Sequence, residues 1–371
     1  MNNIVAVIFF LSVVQSIVSL GHYFIYRTLI TFTHLTPGPL LVGIRIFFVV
    51  ASISFLISSL VTQFEYNTFT VWGYRISAVW LGTVYLLFWT SIIAWVIALL
   101  GSWLKIDLYT IPFIGILFGC TILLSGYGVI NSFSPTIKNL SVRLPNLPEQ
   151  WKGKRIIFVA DTHFGQIRGS AQAKNFAKQI ADQHPELVLI AGDFYDGPKT
   201  DFLTPAKIFG DIPSTYGTYF VTGNHEEYTA GKAYKTGIEK SRIHDIGDRS
   251  VDVNGLQIIG LAYEDNHTEE QIRKHLTDFN IDQKKTSLLI KHVPLHVNVP
   301  EEFNISLQLY GHTHNGQSFP NQIFTKLIFK GYNYGLKSVG KNLVYITSGL
   351  GTWGPPQRIG TKPEIVVITF E

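Results

Sequence analysis

The stretch Leu309–Pro320, LYGHTHNGQSFP, places two histidines one residue apart directly after an apolar run. A His-x-His pair at the end of a strand can hold a metal ion. The same pair can also consist of two solvated loop histidines, and this stretch alone does not distinguish the two alternatives. The decision depends on which polar residues follow the other strands of the chain.

The last two thirds of the chain consist of short β-rich runs separated by amphipathic segments. Helices are predicted at Ser170–Gln183 and Thr204–Gly210. This alternation favours an α/β domain with layered sheets. The predicted strands are Arg155–Ala160, Leu187–Ala191, Thr218–Thr222, Leu256–Leu261, Ser287–Lys291, Ser306–Tyr310, Leu343–Ser348 and Glu364–Phe370.

Residues with metal-binding side chains follow five of these strands, each at the point where the strand ends. Because α/β sheets gather their sites at the carboxyl ends of strands, we expect these side chains to converge. One Asp-x-His is more often a helix cap or a surface turn, but five such motifs in order are not explained by coincidence. The residues are Asp161, His163, Asp193, Asp196, Asn224, His225, His292, His312 and His314.

The number and type of these side chains indicate more than one metal ion. Carboxylates, an amide and four imidazoles exceed the four-ligand shell of a single zinc ion. They suit two neighbouring divalent cations that share one carboxylate.

The motif order D-x-H, G-D-x-x-D, G-N-H-E, a lone H and G-H-x-H resembles the calcineurin-like metallophosphoesterase superfamily from Thr136 to the C-terminus. The ending TSGLGTWGPPQRIGTKPEI is similar to a bacterial branch that carries an N-terminal membrane region. The resemblance implies a four-layer α/β/β/α metallophosphoesterase domain. It also implies two divalent cations, from among Mn, Zn and Fe, that activate a bridging hydroxide for the hydrolysis of a phosphate mono- or diester.

The resemblance also implies a role for each motif residue. His225 is left as a non-ligand imidazole that stabilises the transition state or protonates the leaving group, and Asp196 orients it. Glu226 is interpreted as structural. One metal would be held by Asp161, His163, Asp193 and His314, and the second by Asp193, Asn224, His292 and His312, with Asp193 as the bridge.

One departure from the motifs of a superfamily subgroup narrows the range of expected substrates. Protein serine/threonine phosphatases of this superfamily carry phosphate-binding arginines where this chain has Gly197 and Thr222. The expected substrate is therefore a smaller ester, and a lipid-linked ester is one candidate. The alternative is a catalytically silent membrane scaffold or sensor, but silent relatives should lack a ligand or His225, and none is missing.

The first third of the chain predicts a membrane region. Although 46% of the whole chain is hydrophobic, charged residues are scarce in this part. Each of four apolar runs approaches the roughly 20 residues that a spanning helix needs. We therefore predict a membrane domain at 1–135 and a phosphoesterase domain at 136–371. The runs are Asn3–Tyr26, Leu40–Val61, Ile76–Leu100 and Thr110–Ile130.

The distribution of basic residues favours a multi-pass protein of the cell membrane with a cytoplasmic catalytic domain. The first run lacks the basic start of a cleaved signal peptide, which is the alternative for that run. We interpret Arg45 as snorkelling to the membrane interface rather than as a functional buried charge. The net charge of +4 does not indicate nucleic acid binding, and the single cysteine, Cys120, excludes an intrachain disulfide.

The segment Ser318–Leu336, SFPNQIFTKLIFKGYNYGL, allows two interpretations. It is either a core strand followed by a turn, or an apolar and basic lip beside the active site that faces the lipid bilayer. Phe319, Phe324, Leu327, Ile328 and Phe329 alternate there with two lysines.

Overall fold

The computed structural model describes residues 2–197, 200–227, 229 and 232–371. The chain divides into two compact units. The first comprises the residues up to Ile130 together with Gly354–Gln357, and the second comprises Asn131–Trp353 together with Arg358–Glu371.

The N-terminal unit is built from apolar helices. Among the described residues, four helices are long and apolar enough to cross a membrane. They are joined by polar contacts as well as by apolar packing: the Trp95 indole donates to the Thr28 hydroxyl (2.9 Å), and the Thr83 and Ser125 hydroxyls are 2.7 Å apart. Such interhelical hydrogen bonds are common between membrane helices. The helices are α1 (Asn2–Thr33), α2 (Pro39–Phe64), α3 (Thr68–Trp103) and α4 (Ile111–Ser132).

The second unit is an α/β domain. Its strands are β1 (Thr136–Val142), β2 (Arg155–Val159), β3 (Leu187–Ala191), β4 (Thr218–Val221), β5 (Ile243–Asp245), β6 (Arg249–Val253), β7 (Leu256–Leu261), β8 (Ser287–Lys291), β9 (Leu307–Tyr310), β10 (Gly335–Val339), β11 (Asn342–Ile346) and β12 (Glu364–Phe370). Its helices are α5 (Ser170–Ala181), α6 (Leu203–Gly210), α7 (Asn224–Glu227), α8 (Tyr234–Glu239), α9 (Glu269–Asp278), α10 (Val299–Glu302) and α11 (Asn321–Ile328).

Two mixed sheets form the centre of this domain. In the described part of the chain, one sheet has the order β1-β12-β2-β3-β4-β5 and the other the order β10-β11-β9-β8-β7-β6. Side chains such as Phe158 and Leu309 fill the core between them. Phe176 of α5 covers the outer face of the first sheet, and Ile272 of α9 that of the second. The α/β/β/α prediction is confirmed.

The strands that the sequence analysis missed are the edge strands of both sheets. They are β1 and β5 in the first sheet and β6 and β10 in the second. The burial pattern of β10 shows the reason, because Leu336, Lys337 and Ser338 are all exposed. Edge strands pair on one side only and keep exposed, often charged side chains, so their hydrophobic signal is weak.

The central strands run in parallel. β2, β3 and β4 are parallel neighbours in the first sheet, and β7, β8 and β9 are parallel neighbours in the second. Their carboxyl ends therefore lie at a common edge of each sheet, and the loops that carry the predicted site residues begin there.

The segment predicted as either a core strand or a lip contains the helix α11, and the core-strand interpretation is wrong. No residue of α11 is buried. Its apolar residues Ile323, Phe324, Leu327 and Ile328 follow helical rather than alternating spacing, and they lie on one face of the helix.

Candidate metal centre

Five of the predicted ligands lie in turns with left-handed backbone conformation. Residues other than glycine rarely adopt this region, and Asp, Asn and His are among those that tolerate it best. Backbone strain of this kind is typical of functional sites, where the surrounding structure holds it in place. The φ angles are 56° at Asp161, 49° at His163, 48° at Asp193, 69° at His312 and 47° at His314.

Asp161, His163 and His314 form one buried group of donor atoms. The Nε2 atoms of the two histidines are 3.1 Å apart, and His314 Nε2 is 3.5 Å from Asp161 Oδ1. Asp161 is held in place by the backbone N–H of His312, which donates to both carboxylate oxygens at 3.1 and 3.0 Å.

Asp193, Asn224, His292 and His312 form a second group. The Asn224 side-chain oxygen is 3.1 Å from His292 Nε2 and 3.0 Å from His312 Nδ1. These two histidine nitrogens are 3.2 Å apart. His292 Nδ1 donates to the Ala191 carbonyl at 2.8 Å, which orients the ring and directs Nε2 into the group.

Asp193 lies between the two groups. Its Oδ2 atom is 3.2 Å from His292 Nε2 and 3.9 Å from His163 Nε2. Its Oδ1 atom accepts a hydrogen bond from the His225 backbone N–H at 2.8 Å. One oxygen is thus used by the protein backbone and the other faces both groups.

The electrostatics of the two groups suit cations. Burial lowers the pKa of His163 and of His312 to about 3, so both imidazoles are neutral and keep a free lone pair. Burial opposes a charge on His292, yet the carboxylates of Asp193 and Asp161 raise its pKa to about 9. A positive charge is therefore favoured between these carboxylates. Imidazole nitrogens and carboxylate or amide oxygens without thiolates fit Mn, Zn or Fe.

His225 and Asp196 form a pair at the edge of the donor groups. Nδ1 of His225 is 3.0 Å from Asp196 Oδ1, and its Nε2 is 3.9 Å from Asp193 Oδ2. Burial opposes the charge of His225, but the hydrogen bond with Asp196 and the charge of Asp193 raise its pKa to about 9. The two carboxylates therefore favour the protonated form of His225. Its ring meets the ring of His163 edge-on, with centroids 4.6 Å apart.

Glu226, interpreted from the sequence as structural, holds the backbone around Asp193. Its fully buried carboxylate accepts from the backbone N–H groups of Asp193 (2.9 Å), Gly223 (2.6 Å) and Tyr195 (3.1 Å). A Cβ atom at Gly223 would lie 2.3 Å from Asp193 Oδ1, so a side chain at this position would displace the aspartate.

Arg358 also supports the site, and the sequence analysis gave it no role. It is fully buried, and Nη2 donates to the carbonyls of Ser348 (2.6 Å) and Gly351 (2.7 Å). The N–H of Gly351 in turn donates to the Asp161 carbonyl (2.6 Å). The only sequence signal was the placement of an arginine within the GTWGPPQR motif, which does not specify a contact with a loop distant in sequence.

A cavity of about 240 Å³ opens beside the second group. His292 and His312 form one side of it, and Tyr263, His267, Leu295, Ile328 and Phe329 are among its other lining residues. The cavity combines a wall of metal-binding side chains with an apolar, aromatic wall. It is suited to a molecule with one polar and one apolar part.

Comparisons with known proteins find phosphoesterase relatives of this chain. Residues 154–316 match the calcineurin-like phosphoesterase family. An uncharacterised metallophosphoesterase of Campylobacter jejuni is 29% identical over 66% of this chain and 66% of its own length. One from Helicobacter pylori strain J99 is 30% identical over 63% of each chain. A Danio rerio transmembrane protein with a metallophosphoesterase domain is 27% identical over 68% of this chain and 61% of its own length.

These matches span about two thirds or less of the length of the relatives. Together with the four apolar helices, the transmembrane relatives support membrane association. Among solved structures, the NAD nucleotidase of Haemophilus influenzae aligns with a TM-score of 0.35 at 15% identity, over 53% of this chain and 45% of its own.

Proposed function

Because this chain carries a calcineurin-like metallophosphoesterase domain, we propose that it is a membrane-anchored phosphoesterase with a dinuclear metal centre. The substrate class is a phosphate mono- or diester, including esters with a lipid-linked alcohol. The observation that supports this most is the convergence of two buried donor groups on one carboxylate, Asp193.

In this proposal the first cation is held by Asp161, His163, Asp193 and His314. The second is held by Asp193, Asn224, His292 and His312. Two such cations would make hydroxide available near neutral pH and would neutralise the charge that builds up on the phosphoryl oxygens. The chain keeps both groups in place through the carboxylate of Glu226, the guanidinium of Arg358 and the Ala191 carbonyl.

His225 acts as the general acid. Its Nδ1 is occupied by Asp196, so the proton available for transfer is on Nε2, which faces the donor groups. Proton transfer from this position to the leaving alkoxide would complete the cleavage of the P–O bond. Asp196 orients the ring and favours its protonated form.

The alternative of a silent scaffold or sensor predicts that the site has lost a chemical component. In the described part of the chain, the donor groups, the His225–Asp196 pair and the adjoining cavity are present together. A ligand-binding scaffold has no need for a protonated imidazole placed beside the metal ligands.

An activity assay on the purified full-length protein in detergent tests the proposal. We expect Mn²⁺-dependent release of phosphate or alcohol from at least one member of a panel of soluble and lipid-linked mono- and diesters. A metal-loaded, folded protein that binds a phosphoester but turns over no member of the panel would support the scaffold instead.

We further propose a multi-pass arrangement with a membrane domain at 1–135 and a cytoplasmic domain at 136–371, on the basis of the basic residues that follow α4. In a Cys120→Ser background, Thr277→Cys places a single thiol on an exposed position of α9. We expect a membrane-impermeant maleimide to label it only after the cells are opened. Labelling of intact cells would show that the catalytic domain lies outside the cell, which is the opposite of the proposed orientation.

A further inference from the structure

The helix α11 presents an apolar face that nothing in the described part of the chain covers. The exposed fractions are 53% at Ile323, 48% at Phe324, 71% at Leu327 and 68% at Ile328. Phe319, just before the helix, is 59% exposed. Single exposed apolar residues are common on protein surfaces, but five large ones on one short segment are typical of an interaction site.

The exposed charged residues in the stretch of sequence that contains this face are all of one sign. From Phe303 to Pro363 the sequence contains no aspartate or glutamate. The same stretch carries five exposed lysines, of which Lys326 lies within α11 and Lys330 lies just beyond it. The exposed lysines are Lys326, Lys330, Lys337, Lys341 and Lys362. A basic, apolar helix within a stretch of sequence that carries no acidic residue complements an anionic phospholipid surface.

The C-terminal end of α11 reaches the candidate metal centre. Ile328 and Phe329 line the cavity that His292 and His312 border. The ring of Phe329 meets the ring of His312 edge-on, with centroids 5.9 Å apart. Ile328 thus belongs both to the exposed apolar face and to the cavity lining, so the face continues into the apolar wall of the cavity.

We propose that α11 is a membrane-surface helix that inserts its apolar face into an anionic leaflet, so that the cavity beside the metal ligands opens toward lipid. Because the chain also carries helices of membrane-spanning length, the domain remains close to a bilayer and a short helix is sufficient for contact. One consequence rests on the proposed function: the ester that reaches the metals keeps its apolar part in the leaflet, and its phosphate enters the cavity.

A depth measurement tests the docking independently of any activity. The full chain with Cys120→Ser and Leu327→Cys carries a nitroxide label on the apolar face, and Thr277→Cys on α9 provides the matched exposed control. Both proteins are placed in nanodiscs of phosphatidylcholine with phosphatidylglycerol. We expect the label at 327 to lie roughly 5–10 Å inside the headgroup boundary. We expect the label at 277 to remain accessible to an aqueous relaxation agent.

Charge reversal tests the lipid partner. Lys326→Glu with Lys330→Glu should raise the label at 327 out of the leaflet, whereas Lys274→Glu with Lys284→Glu, at exposed positions elsewhere, should leave its depth unchanged. Equal aqueous accessibility at 327 and 277 would overturn the proposal. So would a label at 327 that is immobilised without contact with lipid, which indicates a protein partner or a second copy of the chain.

The consequence for substrate is tested with Ile323→Ser combined with Phe324→Ser, neither of which lines the cavity. We expect turnover of a lipid-dispersed ester to fall by roughly tenfold or more, because the lost apolar burial weakens docking. Turnover of a soluble ester should be unchanged, which also shows that the variant is folded. An equal effect on both esters would contradict the access route. If the parent protein turns over neither ester, the proposed function fails, while the label depth still decides the docking.

Discussion

Asp193→Asn is expected to remove catalysis and bound metal together. In the proposed centre this carboxylate contributes to both cations, so the substitution removes a negative charge from both sites at once. Replacing a residue that only orients metal ligands typically lowers metal affinity or activity 10–100-fold. Loss of the shared ligand itself should therefore lower kcat/KM by roughly 10²-fold or more.

Metal content and turnover are measured on the same preparation of the full-length protein. Asp182→Asn provides the matched control, because Asp182 is an exposed carboxylate directly after α5 that pairs with Lys178. The control should retain both metal and activity. A folded Asp193→Asn protein that holds two metals per chain and turns over at the parental rate would exclude the bridging role.

His225→Ala is expected to separate chemistry from metal binding. The imidazole is not assigned to either cation in the proposed centre, and its backbone N–H, which holds Asp193, is retained in alanine. Metal content should therefore stay at the parental level. Turnover should fall by roughly 10²-fold or more if His225 supplies a proton in the transition state.

The identity of the leaving group makes this prediction specific. An ester of a good leaving group, such as nitrophenol, needs little protonation, so the loss should be much smaller than for an alkyl ester. Asp196→Asn should give the same pattern in weaker form, because it removes the partner that favours the protonated ring. His244→Ala, at an exposed position on β5, is the control. An equal loss for good and poor leaving groups would indicate that His225 positions phosphate instead.

The sequence alone determined much of the fold because its strongest signals come from buried, periodic segments. The central strands of both sheets, such as β3 and β8, were predicted nearly to the residue, since all of their side chains are buried. The edge strands β1, β5, β6 and β10 were missed. They pair on one side only, and their partly exposed residues give no strong pattern.

The sequence also determined the inventory of the candidate site. The order of Asp, Asn and His residues after successive strands was sufficient to predict that nine side chains converge, and the structure brings them together. Parallel strands place their carboxyl ends at one edge of each sheet. Only the structure shows how the two sheets pack so that the residues after β2, β3 and β4 meet those after β8 and β9.

Only the tertiary structure decided how these side chains are held and what surrounds them. The structure shows left-handed turns at Asp161, His163 and Asp193. It also shows that Glu226 accepts hydrogen bonds from three backbone N–H groups and that Arg358 contacts the loop over Asp161. The contacts of Glu226 and Arg358 join segments that are distant in sequence. The tertiary structure likewise decided that the apolar residues of α11 are exposed, which was one of the two interpretations that the sequence left open. A local sequence pattern indicates the periodicity and the types of its residues. Backbone strain, burial and long-range hydrogen bonds depend instead on which other segments the fold brings into contact.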